Sequence, residues 1–211
     1  MSIHVETFVL GPLENNSYLL MEDNRKEAIV VDPSIPSRDL LDAMRGNGLT
    51  LSYILITHAH FDHIGGAEWL KKQFNGKPQI VLHQADQLLW HEGGGAKDFG
   101  FDFDAGEKPG ILINKDQVLQ LDGYNTEILQ TPGHTPGHVI FYFPDDQIAF
   151  CGDLIFYHGI GRTDLRNSSE KELYDSIQQK IFSLPGQTVL YPGHGPSTTV
   201  EEEKQHNPFL T

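Results

Sequence analysis

Three histidines and an aspartate lie close together, directly after an apolar run that is typical of a β-strand. The run LSYILIT ends at Thr57, and His58, His60, Asp62 and His63 follow within the next six residues. Three imidazoles this close repel one another when protonated, and when neutral and buried they need many hydrogen-bond partners. A divalent cation satisfies neutral imidazoles and an ionised carboxylate together, with bonds of about 2.0–2.2 Å for zinc. The segment therefore predicts a metal site at the carboxyl end of a strand, where α/β sheets keep their sites.

Three further segments repeat the arrangement of a strand, a glycine-containing turn and a candidate ligand. They are TPGH ending at His134, CGD ending at Asp153 and YPGH ending at His194. Glycine permits backbone angles that other residues resist, so such turns can direct side chains to a common point. We expect the four loops to converge at one edge of the fold.

The candidate ligands are too numerous for one tetrahedral zinc ion. They suit two divalent ions if one carboxylate bridges, because each ion then has four protein ligands and the pair can share a water or hydroxide. A set of histidines and aspartates without a thiolate accepts zinc, iron or manganese, and we expect zinc. The predicted metal ligands are His58, His60, Asp62, His63, His134, Asp153 and His194.

Strand and helix patterns alternate along the chain and supply the elements that position these ligands. One helix is predicted after Ser37, which can cap it, ending at Gly46; another begins near Gly66, and a third covers QADQLLWH. The glycine-rich stretch 92–110 is predicted to be a long surface loop, and the run Glu201–Glu203 a solvated helix start. Two β-rich halves with helices outside them indicate a four-layer αββα sandwich of the α/β class.

Composition limits the classes of protein that the chain can belong to. The 211 residues suit a single domain over 1–211, and 38% hydrophobic residues can bury a core. A net charge of -14 opposes binding to nucleic acid or to an anionic membrane surface. The single cysteine, Cys151, excludes an internal disulfide, and no stretch reaches about 18 apolar residues. We expect a cytoplasmic protein, neither exported nor inserted in a membrane.

The motifs THAHFDHIGG, Gly133-His134, Gly152-Asp153 and Gly193-His194, in this order, resemble the metallo-β-lactamase superfamily. TPGHTPGH, CGDLIF, GRTD and the ending YPGHGPSTTVEEEKQHNPFL are similar to the short glyoxalase II-like hydrolases, which lack a C-terminal helical domain. The resemblance implies the αββα metallo-β-lactamase fold. It also implies one metal site of His58, His60 and His134, a second of Asp62, His63 and His194, and Asp153 as the bridging ligand.

The same resemblance implies a metal-dependent thioester hydrolase with S-lactoylglutathione or a related acyl-glutathione as its small-molecule substrate. A metal-bridging hydroxide would attack the thioester carbonyl, and Asp62 would orient it as a catalytic residue besides binding metal. Arg162 stands where the similar enzymes carry a basic residue that contacts glutathione. Its guanidinium is expected to hold a substrate carboxylate, the alternative being an ion pair with Asp164.

Several alternatives stay open at the level of the sequence. Gly195-Pro196 follows the last ligand where longer glyoxalase II enzymes carry a glutathione-contacting tyrosine two positions on, so the substrate is less determined than the chemistry. GRTD, IFSLPG and TVEEEKQHNPFLT also resemble Fe(II)-dependent persulfide dioxygenases. A third possibility is another small-molecule hydrolase of this fold. The aromatic residues in and beside the loop 92–110 are candidates either for substrate-pocket walls or for loop anchors, and the oligomeric state stays open.

Overall fold

The computed structural model describes residues 2–210 and divides after Ile113 into two compact units. Each unit contains one six-stranded sheet, and the second also contains a small two-stranded sheet. The single-domain prediction over 1–211 is not tested by this division and stays a prediction; residues 1 and 211 lie outside the described part of the chain.

The sheet of the first unit is antiparallel at its start and parallel afterwards. Its strands occur in chain order, with β1–β3 antiparallel and β3–β6 parallel. Parallel strands place their carboxyl ends at one edge, so the loops after β3, β4 and β5 are neighbours. The strands are β1 (His4–Leu10), β2 (Asn15–Met21), β3 (Glu27–Val31), β4 (Thr50–Leu55), β5 (Gln79–His83) and β6 (Ile111–Ile113).

Helices of the first unit pack their apolar residues against this sheet. Ser37 caps the first helix by accepting a hydrogen bond from the Leu40 N–H, as the sequence predicts, and Leu40, Leu41 and Met44 point into the core. The predicted third helix begins as a 3₁₀ turn before it becomes α-helical. The elements are α1 (Arg38–Gly46), α2 (Phe61–Ile64), α3 (Ala67–Gln73), a 3₁₀ turn (Gln84–Asp86), α4 (Gln87–His91) and a second 3₁₀ turn (Ala96–Phe99).

The second unit is built around a mixed sheet in which β10 and β13 are parallel and the other neighbours antiparallel. Its order is β14-β13-β10-β9-β8-β7. A short hairpin, β11 and β12, follows β10 directly. The strands are β7 (Gln117–Leu121), β8 (Tyr124–Gln130), β9 (Val139–Phe143), β10 (Ile148–Gly152), β11 (Ile155–Phe156), β12 (Gly159–Ile160), β13 (Val189–Pro192) and β14 (Thr198–Thr199).

Two helices cover one face of the second sheet. The first, α5 (Glu170–Ser176), continues as a π-helical turn over Ile177–Ile181, and the second is α6 (Val200–His206). Leu173, Ile177 and Val200 pack in one cluster with β9, β10 and β13 residues. Cys151 is buried in the same cluster as a small apolar side chain.

The prediction that the acidic run Glu201–Glu203 is a solvated helix start is only partly right, because the run is not uniformly solvated. Glu203 is completely buried, whereas Glu201 is exposed. Glu203 and Asn207 lie three and seven positions after Val200 and therefore share the side of α6 that faces inward, whereas Glu201 lies on another side. Glu203 accepts hydrogen bonds there from Thr198 Oγ1 and Asn207 Nδ2, at 2.6 and 2.7 Å.

The predicted loop 92–110 is confirmed as a connection between α4 and β6, with a short 3₁₀ turn inside it. Within residues 2–210, no helix is both long enough and apolar enough to span a bilayer.

Candidate metal centre

The first unit gathers all four of its predicted ligands in the loop after β4 and in the short helix α2 that follows it. His60 occupies the position before the first helical residue, and Asp62 and His63 lie within α2. The ring of His58 lies 4.7 Å from that of His60 and 4.0 Å from that of His63, measured between centroids. Nε2 of His63 is 3.7 Å from Oδ2 of Asp62. His58 and His63 are completely buried, so this edge of the sheet holds a compact cluster of imidazole and carboxylate donors.

Asp32, which the sequence analysis did not select, connects this cluster to the neighbouring strand. It follows β3 directly, and because Val31 pairs with Leu55 in parallel register, its side chain reaches the end of β4. Its carboxylate accepts hydrogen bonds from the Thr57 N–H at 2.8 Å, the Thr57 hydroxyl at 2.6 Å and His63 Nδ1 at 2.9 Å. One buried carboxylate therefore fixes both the ligand segment and one ligand ring.

These contacts determine which nitrogen each ring can offer to a metal. An ionised carboxylate only accepts hydrogen bonds, so His63 must carry its proton on Nδ1 and present the lone pair of Nε2. The Thr57 hydroxyl gives its proton to Asp32 and can accept one from Nδ1 of His58, 3.2 Å away. His58 is thereby held in the same tautomer. The amide of Asn15 also lies against His63, with Nδ2 3.0 Å from Nε2.

The backbone of the ligand segment is fixed from two further sides. Oδ2 of the buried Asp86 accepts a hydrogen bond from the Ala59 N–H at 3.0 Å. Phe61 donates its N–H to the Gly94 carbonyl at 3.0 Å. Gly94 has φ +63° and packs so closely that a Cβ there would collide with the backbone of Phe61. The glycine-rich loop therefore touches the ligand segment itself.

The second unit brings its three predicted ligands around one carboxylate oxygen. Oδ2 of Asp153 lies 3.6 Å from Nε2 of His134 and 3.7 Å from Nε2 of His194. Nδ1 of His134 donates to the Arg162 carbonyl at 2.9 Å, which leaves Nε2 as the nitrogen with a lone pair. The three ligands thus present the same kind of atoms as those of the first unit.

Gly133 lets the His134 turn pack against α5. It has φ +144°, and a Cβ there would collide with the backbone nitrogen of Leu173. Its carbonyl accepts a hydrogen bond from the N–H of Ser169, the residue that caps α5, at 2.7 Å. The turn that carries His134 is therefore built onto the start of this helix.

The hairpin after Asp153 positions the other two ligands. Arg162, just beyond the hairpin, supplies the carbonyl that holds His134. Phe156 packs edge-on against the ring of His194, with centroids 6.2 Å apart. The hairpin itself is anchored by Asn207, whose Nδ2 donates to the Gly159 carbonyl at 3.0 Å.

The guanidinium of Arg162 forms a two-pronged ion pair with Asp164. Nε and one terminal nitrogen lie 2.6 and 2.8 Å from the two carboxylate oxygens. The hydrogen bond from Arg162 holds the pKa of Asp164 at about 2, below its ordinary value of 3.8. Both side chains are more than half exposed. The ion pair is the alternative that the sequence left open, and the predicted contact with substrate stays a prediction.

The donor sets of both units fit divalent ions. The three nitrogen-to-oxygen separations between imidazole and aspartate ligands are 3.6–3.7 Å, longer than hydrogen bonds. Two ligand atoms at about 2.1 Å from one ion lie roughly 3.4 Å apart at the tetrahedral angle. Neutral imidazoles held as Nδ1–H tautomers beside carboxylates therefore provide the spacing and the lone pairs that a metal requires.

Sequence reasoning missed the residues that orient the ligands. Asp32 and Asp86 follow strand ends, but no spacing relates them to the ligand motif; Thr57 is the first residue of that motif and was not selected as a positioning residue. The signal available was an aspartate directly after the apolar run EAIVV. His138, four residues after His134, lies buried with Nδ1 2.8 Å from Thr131 Oγ1.

The sequence profile of the metallo-β-lactamase superfamily matches residues 10–194. The chain belongs to this superfamily. Two of its relatives differ in their named activities. Hydroxyacylglutathione hydrolase GloC of Haemophilus influenzae is 35% identical over 99% of this chain and 98% of its own. The mitochondrial persulfide dioxygenase ETHE1 of Bos taurus is 34% identical over 92% of this chain and 71% of its own.

Solved structures of the superfamily match nearly the whole chain. The B3 metallo-β-lactamase BLEG-1 has a TM-score of 0.93 at 34% identity, covering 99% of this chain and 100% of its own. TTHA1623 in a di-iron-bound form has a TM-score of 0.86 at 35% identity, covering 98% and 100%. The predicted fold class is confirmed: this is the metallo-β-lactamase fold, with two β-sheets flanked by helices. Superfamily membership indicates a metallohydrolase with a dinuclear metal site.

Proposed function

We propose that the chain is a glyoxalase II-like thioester hydrolase that binds two divalent metal ions and cleaves S-lactoylglutathione or a related acyl-glutathione. The observation that carries the proposal is the pair of ligand clusters, each with imidazole Nε2 atoms and an aspartate oxygen at the spacing of ligands that share an ion. The near full-length similarity to a hydroxyacylglutathione hydrolase supports the choice of substrate.

The proposed ligand assignment divides the seven residues between two ions. One ion would be held by His58, His60 and His134, the other by Asp62, His63 and His194, and Asp153 would be shared, as the resemblance to the superfamily implies. Asp153 suits the shared position because two ligand imidazoles already face its one oxygen.

Bound divalent ions would lower the pKa of a water towards about 7 and polarise the thioester carbonyl. The chain's own residues supply orientation. Asp62 would help to hold one of the ions and would orient the attacking water towards the carbonyl carbon. Asp32 keeps the proton of His63 on Nδ1 throughout, so that Nε2 stays available to the metal. No side chain is required as a nucleophile.

Substrate binding is proposed to involve Arg162. Its guanidinium is exposed and already arranged for a carboxylate, because it holds that of Asp164 in two-pronged geometry. A glutathione carboxylate would replace Asp164 in this pair. The proposal thus combines the expected substrate contact with the ion pair that the sequence left open as its alternative.

Zinc is the proposed native metal, with iron or manganese as alternatives that the same donors accept. A reducing cytoplasmic location is part of the proposal, since the single cysteine is buried and forms no disulfide. The oligomeric state is left open.

A second candidate function is that of an Fe(II)-dependent persulfide dioxygenase, favoured by the similarity to the bovine enzyme. Such an oxygenase would use one iron held by two histidines and a carboxylate. The second set of three ligands in the proposed assignment favours the hydrolase, because a single iron has no need of it.

The deciding experiment measures metal content and turnover together. The purified protein is analysed for bound metal and assayed with S-lactoylglutathione, with glutathione persulfide while oxygen uptake is followed, and with a chromogenic cephalosporin. We expect two metals per chain and thioester cleavage as the dominant activity. Oxygen uptake without thioester cleavage would establish the dioxygenase, and cephalosporin cleavage alone would establish a lactamase.

The role of Asp62 is tested with Asp62→Ala beside Asp23→Ala, an exposed aspartate in the same unit. Asp62→Ala is expected to lose at least one metal per chain and most of its thioesterase turnover. Asp23→Ala is expected to keep both. Two bound metals and full turnover in Asp62→Ala would refute the assignment.

A further inference from the structure

Three aromatic rings form a cluster beside the predicted metal ligands of the first unit. Phe61 stands between His60 and Asp62 in the ligand segment, and its ring centroid lies 5.4 Å from that of Phe99 and 5.6 Å from that of Phe101. We call Phe61, Phe99 and Phe101 the aromatic cluster. The last two come from the loop 92–110, which the mechanism above does not use.

The loop is held in place by residues other than Phe99 and Phe101. Ala96 and Ala105 are buried, and Phe103 packs against the core of the unit. The backbone contact between Gly94 and Phe61 ties the loop to the ligand segment. Phe99 and Phe101 remain 47% exposed each, so these two rings are not the anchors of the loop.

When an apolar group covers exposed rings of this size, the free energy falls because apolar surface is removed from water. Phe61 belongs to the ligand segment, and its ring contacts both exposed rings, so the aromatic cluster extends from Phe99 and Phe101 to this segment. A substrate whose carbonyl lies at the metal ligands would therefore place its neighbouring group on these rings.

The charges around the cluster indicate which end of a thioester it receives. Asp98 and Asp102 flank the segment Phe99-Gly100-Phe101 in the sequence, and both are exposed. Their negative charges oppose a carboxylate-bearing group such as the glutathione moiety. They do not oppose a neutral hydrocarbon group.

We propose that the aromatic cluster is the acyl-group subsite and that the enzyme prefers thioesters with a neutral, apolar acyl group. This inference rests on the proposed function and extends it by naming the acyl class. The cluster binds the hydrocarbon part of the acyl group by burial and ring contact, while the glutathione part lies away from Asp98 and Asp102.

The test uses thioethers, which have no carbonyl to hydrolyse and therefore report binding without turnover. Dissociation constants of S-methylglutathione and S-hexylglutathione are measured by calorimetry on the metal-loaded protein. We expect the hexyl compound to bind at least tenfold more tightly, which corresponds to about 1.4 kcal/mol. Equal affinity for the two compounds, or binding of neither, would overturn the proposal.

The variant that tests whether the aromatic cluster is the subsite combines Phe99→Ala with Phe101→Ala. It is expected to lose about tenfold in affinity for the hexyl compound and to keep its affinity for the methyl compound. Phe209→Ala, which removes an exposed phenylalanine from the second unit, is the matched control and should keep both affinities. An unchanged hexyl preference in the double variant would reject the subsite.

Hydrolysis assays separate this inference from the proposed function. If the wild-type protein cleaves no thioester but still discriminates between the thioethers through Phe99 and Phe101, the proposed function fails and the apolar subsite stands. If it cleaves S-lactoylglutathione but shows no dependence on the two rings, the proposed function stands and the subsite fails.

Discussion

The carboxylate of Asp32 lies against the imidazole of His63, with Oδ2 2.9 Å from Nδ1, although 31 residues separate the two in the chain. Both side chains are buried. The contact fixes the tautomer and the orientation of the ring, so Asp32 would influence a metal bound at this position through His63.

Replacing Asp32 by Asn should therefore weaken metal binding without unfolding the protein. The amide keeps the size of the side chain but lacks the charge that holds the Nδ1 proton. We expect a loss of about 10–100-fold in metal affinity, measured by competition with a chromogenic chelator. Asp23→Asn is the control and should bind metal normally. Equal affinities in the two variants would contradict the role of Asp32.

Gly133→Ala should destabilise the protein, because a methyl group at φ +144° would collide with the start of α5. Backbone strain alone costs on the order of 1–3 kcal/mol, and the collision adds to it. Gly46→Ala is the matched control: its Cβ would meet no atom within 4 Å, and it lies at the end of α1. Alanine is the better helix former there by up to about 1 kcal/mol. Urea denaturation of both variants gives the comparison, and a stable Gly133→Ala protein would contradict the packing described.

Asp164→Asn should release the Arg162 guanidinium for substrate. If Arg162 binds a glutathione carboxylate, KM for glutathione thioesters falls a few-fold in Asp164→Asn and rises in Arg162→Ala. A thioester without carboxylates should show neither change, since it offers nothing to the guanidinium. Equal effects on both kinds of substrate would assign Arg162 to structure alone.

The same ion pair predicts a pH dependence. The pKa of Asp164 is about 2 in the folded protein against an ordinary value of 3.8, because Arg162 hydrogen-bonds to the ionised form. A depressed folded-state pKa means that the ion pair contributes to stability above the ordinary value and loses this contribution as the pH falls towards 2. Carboxyl chemical shifts measured by NMR should show the Asp164 titration moving back towards 3.8 in Arg162→Ala. A titration that stays at low pH would contradict the pairing.

Glu203→Ala should destabilise the protein far more than Glu201→Ala. The buried carboxylate of Glu203 accepts hydrogen bonds from the His158 N–H, Thr198 Oγ1 and Asn207 Nδ2, and its removal leaves these donors unsatisfied. The expected cost is about 2–4 kcal/mol, whereas the exposed Glu201 should change stability by less than about 0.5 kcal/mol. Thermal unfolding of the two variants measures the difference, and similar midpoints would contradict the network.

Much of the fold could be predicted from local pattern. The helix after Ser37 and the main strands of both sheets are where their apolar periodicity and caps indicate. The elements that escaped prediction are the shortest, such as the hairpin β11–β12 and strand β14, which have two residues per strand. Two residues are too few to show an alternation of apolar and polar side chains, and pairing with neighbouring segments of the same chain decides their structure.

The same division applies to the candidate site. The ligands could be selected from the sequence because histidine and aspartate side by side after strand ends already express the chemistry of a metal site. The residues that orient them could not, because Asp32, Asp86 and the Arg162 carbonyl reach their partners across 25 to 31 residues of chain. A backbone carbonyl, moreover, carries no mark in the sequence.

The sequence by itself determined which candidate donor atoms this protein has for a metal site, since residue type fixes donor chemistry regardless of conformation. Only the tertiary structure decided how those atoms are held: which ring nitrogen keeps its proton, which glutamate of the C-terminal helix is buried, and that Arg162 holds Asp164. These outcomes depend on distances between segments remote in the chain, and strand register and close packing set those distances.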